Sequence, residues 1–134
     1  MMRRSRAERG NTLLESALVF SVFLILLAGI MEFAVIGFAF NSVTFAAHRA
    51  ARFATLRGSS SGHPASLSDV QAEAQACIHA LDPAAVTVTV TWSPDNHPGS
   101  SVDVIVTYGL KSGLVPVSAG VLTLKSHSSQ IILQ

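Results

Sequence analysis

The sequence predicts an α+β protein in two unequal parts: a long apolar N-terminal helix, then a small head with one helix on a three-stranded antiparallel sheet. Three patterns carry that expectation. Residues 13–40 contain only two ionisable side chains, Glu15 and Glu32. The stretches VTVTVTW (86–92) and SVDVIVTY (101–108) alternate apolar and other residues with the period of a strand. Between those regions lies GSSSGHPAS, residues 58–66, whose composition is that of a linker. The chain is 49% hydrophobic and 13% charged, against about 25% charged in an ordinary soluble domain. That shortage of charge is confined to the first part.

The N-terminal ten residues, MMRRSRAERG, hold Arg3, Arg4, Arg6 and Arg9 against Glu8, while the remainder of the chain is slightly acidic. A basic leader ahead of SALVFSVFLILLAGIM (16–31) gives the charge order of a membrane segment. By the positive-inside rule it favours a cytoplasmic N-terminus, although Arg49, Arg52 and Arg57 follow closely enough to narrow the margin. As a helix, residues 16–40 would span about 40 Å at roughly 1.5 Å per residue, longer than the ~20 residues a bilayer core requires. A cleavable secretory signal and a plain signal anchor share parts of this pattern. The apolar run is too long for a signal's core and carries two glutamates, and neither alternative accounts for Glu15.

A carboxylate inside a membrane-length segment costs about 2.5–3.5 kcal/mol. Glu15 is the fifth residue after Gly10. A cut after Gly10 would give a chain beginning Asn11-Thr12-Leu13-Leu14-Glu15, with a free ammonium one helical turn from the acid. Each charge could then meet the opposite charge on a neighbouring copy, and a ladder of such pairs would set helices side by side at a fixed stagger. Glu32 lies 17 residues further on, roughly 100° round the helix from Glu15, so the two acids face different surroundings. Its surroundings are either a contact on another subunit or the hydrated membrane interface. Ala17, Ser21, Ala28 and Gly29 offer small side chains for close helix packing.

The basic leader, Gly10, Glu15 and the long apolar helix resemble the type IV prepilin class. Residues 9–52 resemble the TadE-like family of minor pilins or pseudopilins in tight-adherence pilus systems. The resemblance lies in Arg9-Gly10, Leu14-Glu15, the aliphatic block, Gly29-Ile30-Met31-Glu32-Phe33 and the exit segment Ala46-Ala47-His48-Arg49-Ala50-Ala51-Arg52. Ser16, Ser21 and Ala34-Val35 depart from the family's usual residues. The resemblance implies cleavage between Gly10 and Asn11 by a prepilin peptidase. It also implies residence in the bacterial inner membrane with the head outside the cytoplasm, and partnership with other pilins and the pilus assembly platform. A minor role is implied because bulk pilins of these systems are much shorter. The rival reading is a signal-anchored adhesion or binding module unrelated to filaments.

Past Phe40 the helix is expected to continue in water to residue 57. His48, Arg49 and Arg52 are then either a solvated face with snorkelling arginines or a surface that pairs acids on another subunit. The expected organisation is a leader 1–10, a transmembrane and assembly helix 11–57, a flexible linker 58–67 and a head 68–134. In the head, Ser68-Asp69-Val70-Gln71 has the pattern of a capping box. Val70, Ala74, Cys77, Ile78 and Leu81 share one face, and Asp82-Pro83 ends that helix. Cys77 is expected as a small buried apolar residue. The two alternating stretches supply strands separated by the turn-rich SPDNHPGS. Gly109, Gly113, Pro116 and Gly120 break the following region, and residues 121–133 supply a third strand with Leu122 and Leu124 on one face.

No nucleophile set, phosphate loop or carboxylate pair stands out in the head, so an enzyme is not expected. Nor is a cofactor or metal expected, since Cys77 and His79 lack further ligands at suitable spacing. The body has no basic patch with interleaved aromatics, which argues against nucleic acid. The lone Cys77 cannot form an internal disulfide.

Overall fold

The computed structural model describes residues 4–78, 81–111 and 122–133. Helix α1 runs from Arg4 to Leu56, and the chain divides within it into two compact units, Met1–Val35 and Ile36–Gln134.

In the first unit the apolar side chains from Leu13 onward point outward: Leu13 and Leu14 are each 72% exposed and Phe33 is 77% exposed. Helix is the conformation in which such a segment satisfies its own backbone. Its hydroxyls are satisfied the same way, Ser16 Oγ donating to the Thr12 carbonyl and Ser21 Oγ to the Ala17 carbonyl, both at 2.8 Å. This segment is long and apolar enough to cross a membrane.

In the second unit the same helix carries a stripe of small residues: Ala39, Val43, Ala46, Ala47, Ala50, Ala51 and Ala54, none more than 1% exposed. Steps of three, four and one keep them on one face. They share a core with Val102, Val104 and Val106, all fully buried. The opposite face keeps Phe45, His48, Arg49 and Arg52 exposed. This half of α1 is therefore a core helix of the head as well as the expected exposed one.

The segment after α1 is held at several points. Ala65 N–H donates to the Arg57 carbonyl at 2.7 Å and Ser59 N–H to the Asn96 carbonyl at 2.8 Å. Gly62 adopts φ +75° within it, a region that favours glycine. Helix α2, Leu67–Ala76, starts at Ser66, two residues before Ser68. Ser66 Oγ accepts from Asp69 N–H at 3.2 Å and the Asp69 carboxylate accepts from Ser66 N–H at 2.9 Å. The acid three residues on favours Ser66, and Gln71 donates instead to the Val88 carbonyl at 3.1 Å. The helix ends at Ala76, short of Asp82. Cys77 is its C-cap and half-buried, while Val70, Ala74 and Ile78 are buried. Asp82 instead caps a single 3-10 turn, Pro83–Ala85.

Strands β1 (Val86–Ser93), β2 (Ser101–Leu110) and β3 (Leu122–Ile131) form one antiparallel sheet in the order β1-β2-β3. Val90 lies opposite Val104 and Val104 opposite Ser128. In β1 the valines are buried and the threonines exposed, as alternation requires. The third strand differs from expectation: Leu124 is buried but Leu122 is 46% exposed at the strand's end. Gly109 sits inside β2; Gly113, Pro116 and Gly120, like His79, lie outside the described residues.

Ala47→Leu overfills the α1–sheet interface and is expected to destabilise the head by roughly 1–3 kcal/mol. Phe45→Ala, at an exposed site, is expected to change stability by less than about 0.5 kcal/mol. Urea unfolding of the detergent-solubilised chain separates the two, and equal effects would contradict the burial of the alanine stripe.

Candidate functional site

Gly10 and Asn11 are consecutive residues of α1. Glu15 follows Asn11 by four residues, about one turn and 6 Å of rise. It is exposed in a shallow groove along the helix with Thr12, Ser16, Val19, Phe20 and Phe23. The carboxylate stands on a largely apolar surface, and among the described residues no Lys, Arg or His lies on its own helix turn. Glu32 is half-buried and lies well round the helix from Glu15.

The structure separates the three cationic candidates by partner. Arg49 Nε is 3.2 Å from Glu73 Oε1 of α2. His48 Nδ1 is hydrogen-bonded to Ser128 Oγ of β3 at 3.1 Å. Arg52 is exposed, its carbonyl accepts from Thr55 Oγ1 at 2.8 Å, and its guanidinium has no ion-pair or hydrogen-bond partner among the described residues. All three line an open depression of about 590 Å³ with Phe45, Phe53 and Leu56, between Glu73 on one side and Gln130 on the other. Arg57 stacks over the Phe53 ring at 4.6 Å. The lining positions 45, 48, 49, 52, 53 and 56 have helical spacing, a signal the sequence holds. Glu73 and Gln130 are brought in by the fold.

The acids of the head are used locally. Asp103 accepts hydrogen bonds from Ser129 and from His127 Nε2, the latter at 2.8 Å, and both hold its carboxyl below the usual carboxylate range. Ser129 and His127 therefore converge on the carboxylate, which is not the nucleophile–base–acid relay of a hydrolase. Asp95 accepts from Ser100 Oγ at 2.6 Å and from His97 N–H at 3.0 Å, with the same consequence for its carboxyl. Burial, with Glu73 nearby, pushes the Cys77 thiol up, away from a reactive thiolate. Among the described residues no group of three or more His, Cys, Asp and Glu is placed to hold a metal ion.

Residues 10–52 match the family model described as TadE-like protein. The matched span begins at Gly10 and ends at Arg52, so it takes in Glu15, Glu32 and the cationic face. The segment is TadE-like, which associates the chain with pilus components. No curated protein and no solved structure matches the chain.

Asp95 and Asp103 are held ionised by folding, so their stabilisation is complete above the ordinary value of 3.8 and is lost as pH falls through the lower folded values. The head's unfolding midpoint is expected to drop between about pH 5 and about pH 2, with a shallower slope in Asp103→Asn. A pH profile of urea unfolding with the same slope in both proteins would contradict this.

Proposed function

We propose that this chain is a minor pilin or pseudopilin that takes part in assembling a tight-adherence, type IV-type pilus. Residues 1–10 are a leader removed by a prepilin peptidase between Gly10 and Asn11. The apolar first part of α1, residues 11–35, anchors the chain in the bacterial inner membrane, and residues 36–57 carry the extracytoplasmic head and present it to the assembly platform. The observation that carries this reading is the lone carboxylate of Glu15, on an exposed apolar helix, at the fifth place after Gly10.

Physical chemistry supplies the mechanism. Once the leader is gone, the Asn11 ammonium and the Glu15 carboxylate are one helical turn apart on the same chain. Each is costly in hydrocarbon, at about 2.5–3.5 kcal/mol, and each lowers that cost by meeting its opposite on an adjacent subunit. The side-by-side stagger is thereby fixed by charge, while the apolar surface between the charges supplies contact area without selecting a register. The exposed α1 face around Arg52 offers a second contact, where His48 and Arg49 are already tied to β3 and α2. Glu32 serves as a further subunit contact at the outer end of the apolar segment.

Glu15→Ala leaves a neighbour's ammonium unpaired. It is expected to spare membrane insertion yet reduce surface pili by about tenfold or more, since tenfold corresponds to only about 1.4 kcal/mol. Pilus counts by electron microscopy, beside membrane fractionation of the variant, measure both quantities. Normal piliation would contradict the assignment.

A further inference from the structure

We propose that the open edge of β3 takes an extended strand from a different, acidic subunit, completing the sheet of the head. The direction of the backbone groups along β3 follows from three hydrogen bonds at its end. Ile132 N–H donates to the Ser100 carbonyl, and the Ile132 carbonyl accepts from Gly99 N–H, so this residue turns both groups toward the β2 side. Leu133 N–H points the other way and donates to the Thr55 carbonyl of α1. Antiparallel ladders alternate strictly. The even-numbered residues of β3 therefore bond β2, and Thr123, Lys125, His127, Ser129 and Ile131 turn their N–H and C=O groups outward. Among the described residues no backbone group bonds that outward row between 122 and 131.

The other edge is treated differently. The same alternation turns Val86, Val88, Val90 and Trp92 of β1 outward, and there the Val88 carbonyl is taken by the side chain of Gln71 from α2. Edge strands are commonly protected by proline, a bulge or a covering element. β1 has such a cover; β3 runs ten residues with one lysine, without proline.

An unpaired backbone row recognises another extended polypeptide backbone, and the side chains beside it select which. Gln130 of β3 shares the depression with Phe45 and Arg52 of α1, and His48 bonds Ser128 from above. A strand laid along β3 would place its core-side residues against the apolar wall and under Arg52, whose guanidinium has no partner among the described residues. Arg52 lies on the core side of this edge and Lys125 on the outer face of the strand, and β3 contains no acid to offset either. Antiparallel pairing of two copies edge to edge about Lys125 would set the two lysines opposite each other on one face, which is unfavourable. A strand of alternating apolar residues with a carboxylate opposite Arg52 is complementary.

This inference rests on the chain being a subunit of an assembly, but its test does not involve Glu15. The probe is a fluorescein-labelled decapeptide of alternating threonine and valine with one central aspartate, titrated into the detergent-solubilised full chain and followed by anisotropy. Saturable binding is expected, lost when alternate peptide nitrogens are methylated and weakened roughly tenfold by Arg52→Ala. Lys125→Pro removes an outward N–H without touching the β2 ladder and is expected to weaken binding while circular dichroism remains unchanged. Absence of saturable binding, or equal binding of the methylated peptide, overturns the proposal. Sedimentation showing self-association of the chain that Lys125→Pro abolishes, without peptide binding, would assign the edge to a second copy and overturns it too. A Glu15→Ala protein that still binds the peptide separates failure of filament assembly from failure of this edge.

Discussion

Hydrocarbon offers no hydrogen bonds, so a polypeptide that enters it must satisfy every backbone N–H and C=O within itself. α1 answers that constraint over its first half. Its hydroxyls follow the backbone: Ser16 and Ser21 donate to carbonyls four residues back, and each becomes compatible with an apolar solvent. One kind of group cannot be silenced in this way. A carboxylate has more acceptor capacity than its own turn supplies, and Glu15 stands on a surface of leucine, valine and phenylalanine. The proposed charge pairing between subunits follows from that residue's position.

The second half of α1 meets a different surrounding. Beyond Ile36 the helix belongs to the same compact unit as the sheet, and there it needs a narrow face that packs closely. Alanine at 46, 47, 50, 51 and 54 provides it, leaving the opposite face free for Phe45, Arg49 and Arg52. One helix thus carries an apolar surface toward the bilayer in the proposed topology, an alanine surface toward the sheet, and a cationic-aromatic surface toward solvent. The third surface is bounded by Glu73 and Gln130, so the fold determines which of its cations remain unpaired.

Much of this was legible in the sequence, for reasons that differ by element. Strands β1 and β2 declare themselves because valine alternates with threonine and other residues over their length. The long apolar run declares α1. Its buried alanine stripe did not stand out, because alanine contributes little hydrophobicity and the same segment is rich in arginine. Two serines compete to start α2: Ser68 has Gln71 three residues on, and Ser66, which caps the helix, has Asp69. β3 was hard to orient because its core-facing side includes Ser126, Ser128 and Gln130 between Leu124 and Ile132. The segment 58–66 has the composition of a linker, yet Ser59 is tied to Asn96, in the loop after β1, a contact that only the fold supplies. Arg49 with Glu73 and His48 with Ser128 are separated by 24 and 80 residues, distances at which sequence pattern carries no information about pairing.

The proposed pairing of Glu15 requires an amine at residue 11. Intact-mass and N-terminal analysis of the chain recovered from the cell envelope tests this most directly. Asn11 as the first residue is the predicted result, with the mass lowered by that of the first ten residues. A recovered chain that still carries Arg3 to Arg9 would leave Glu15 without the ammonium assigned to it, and would contradict the account.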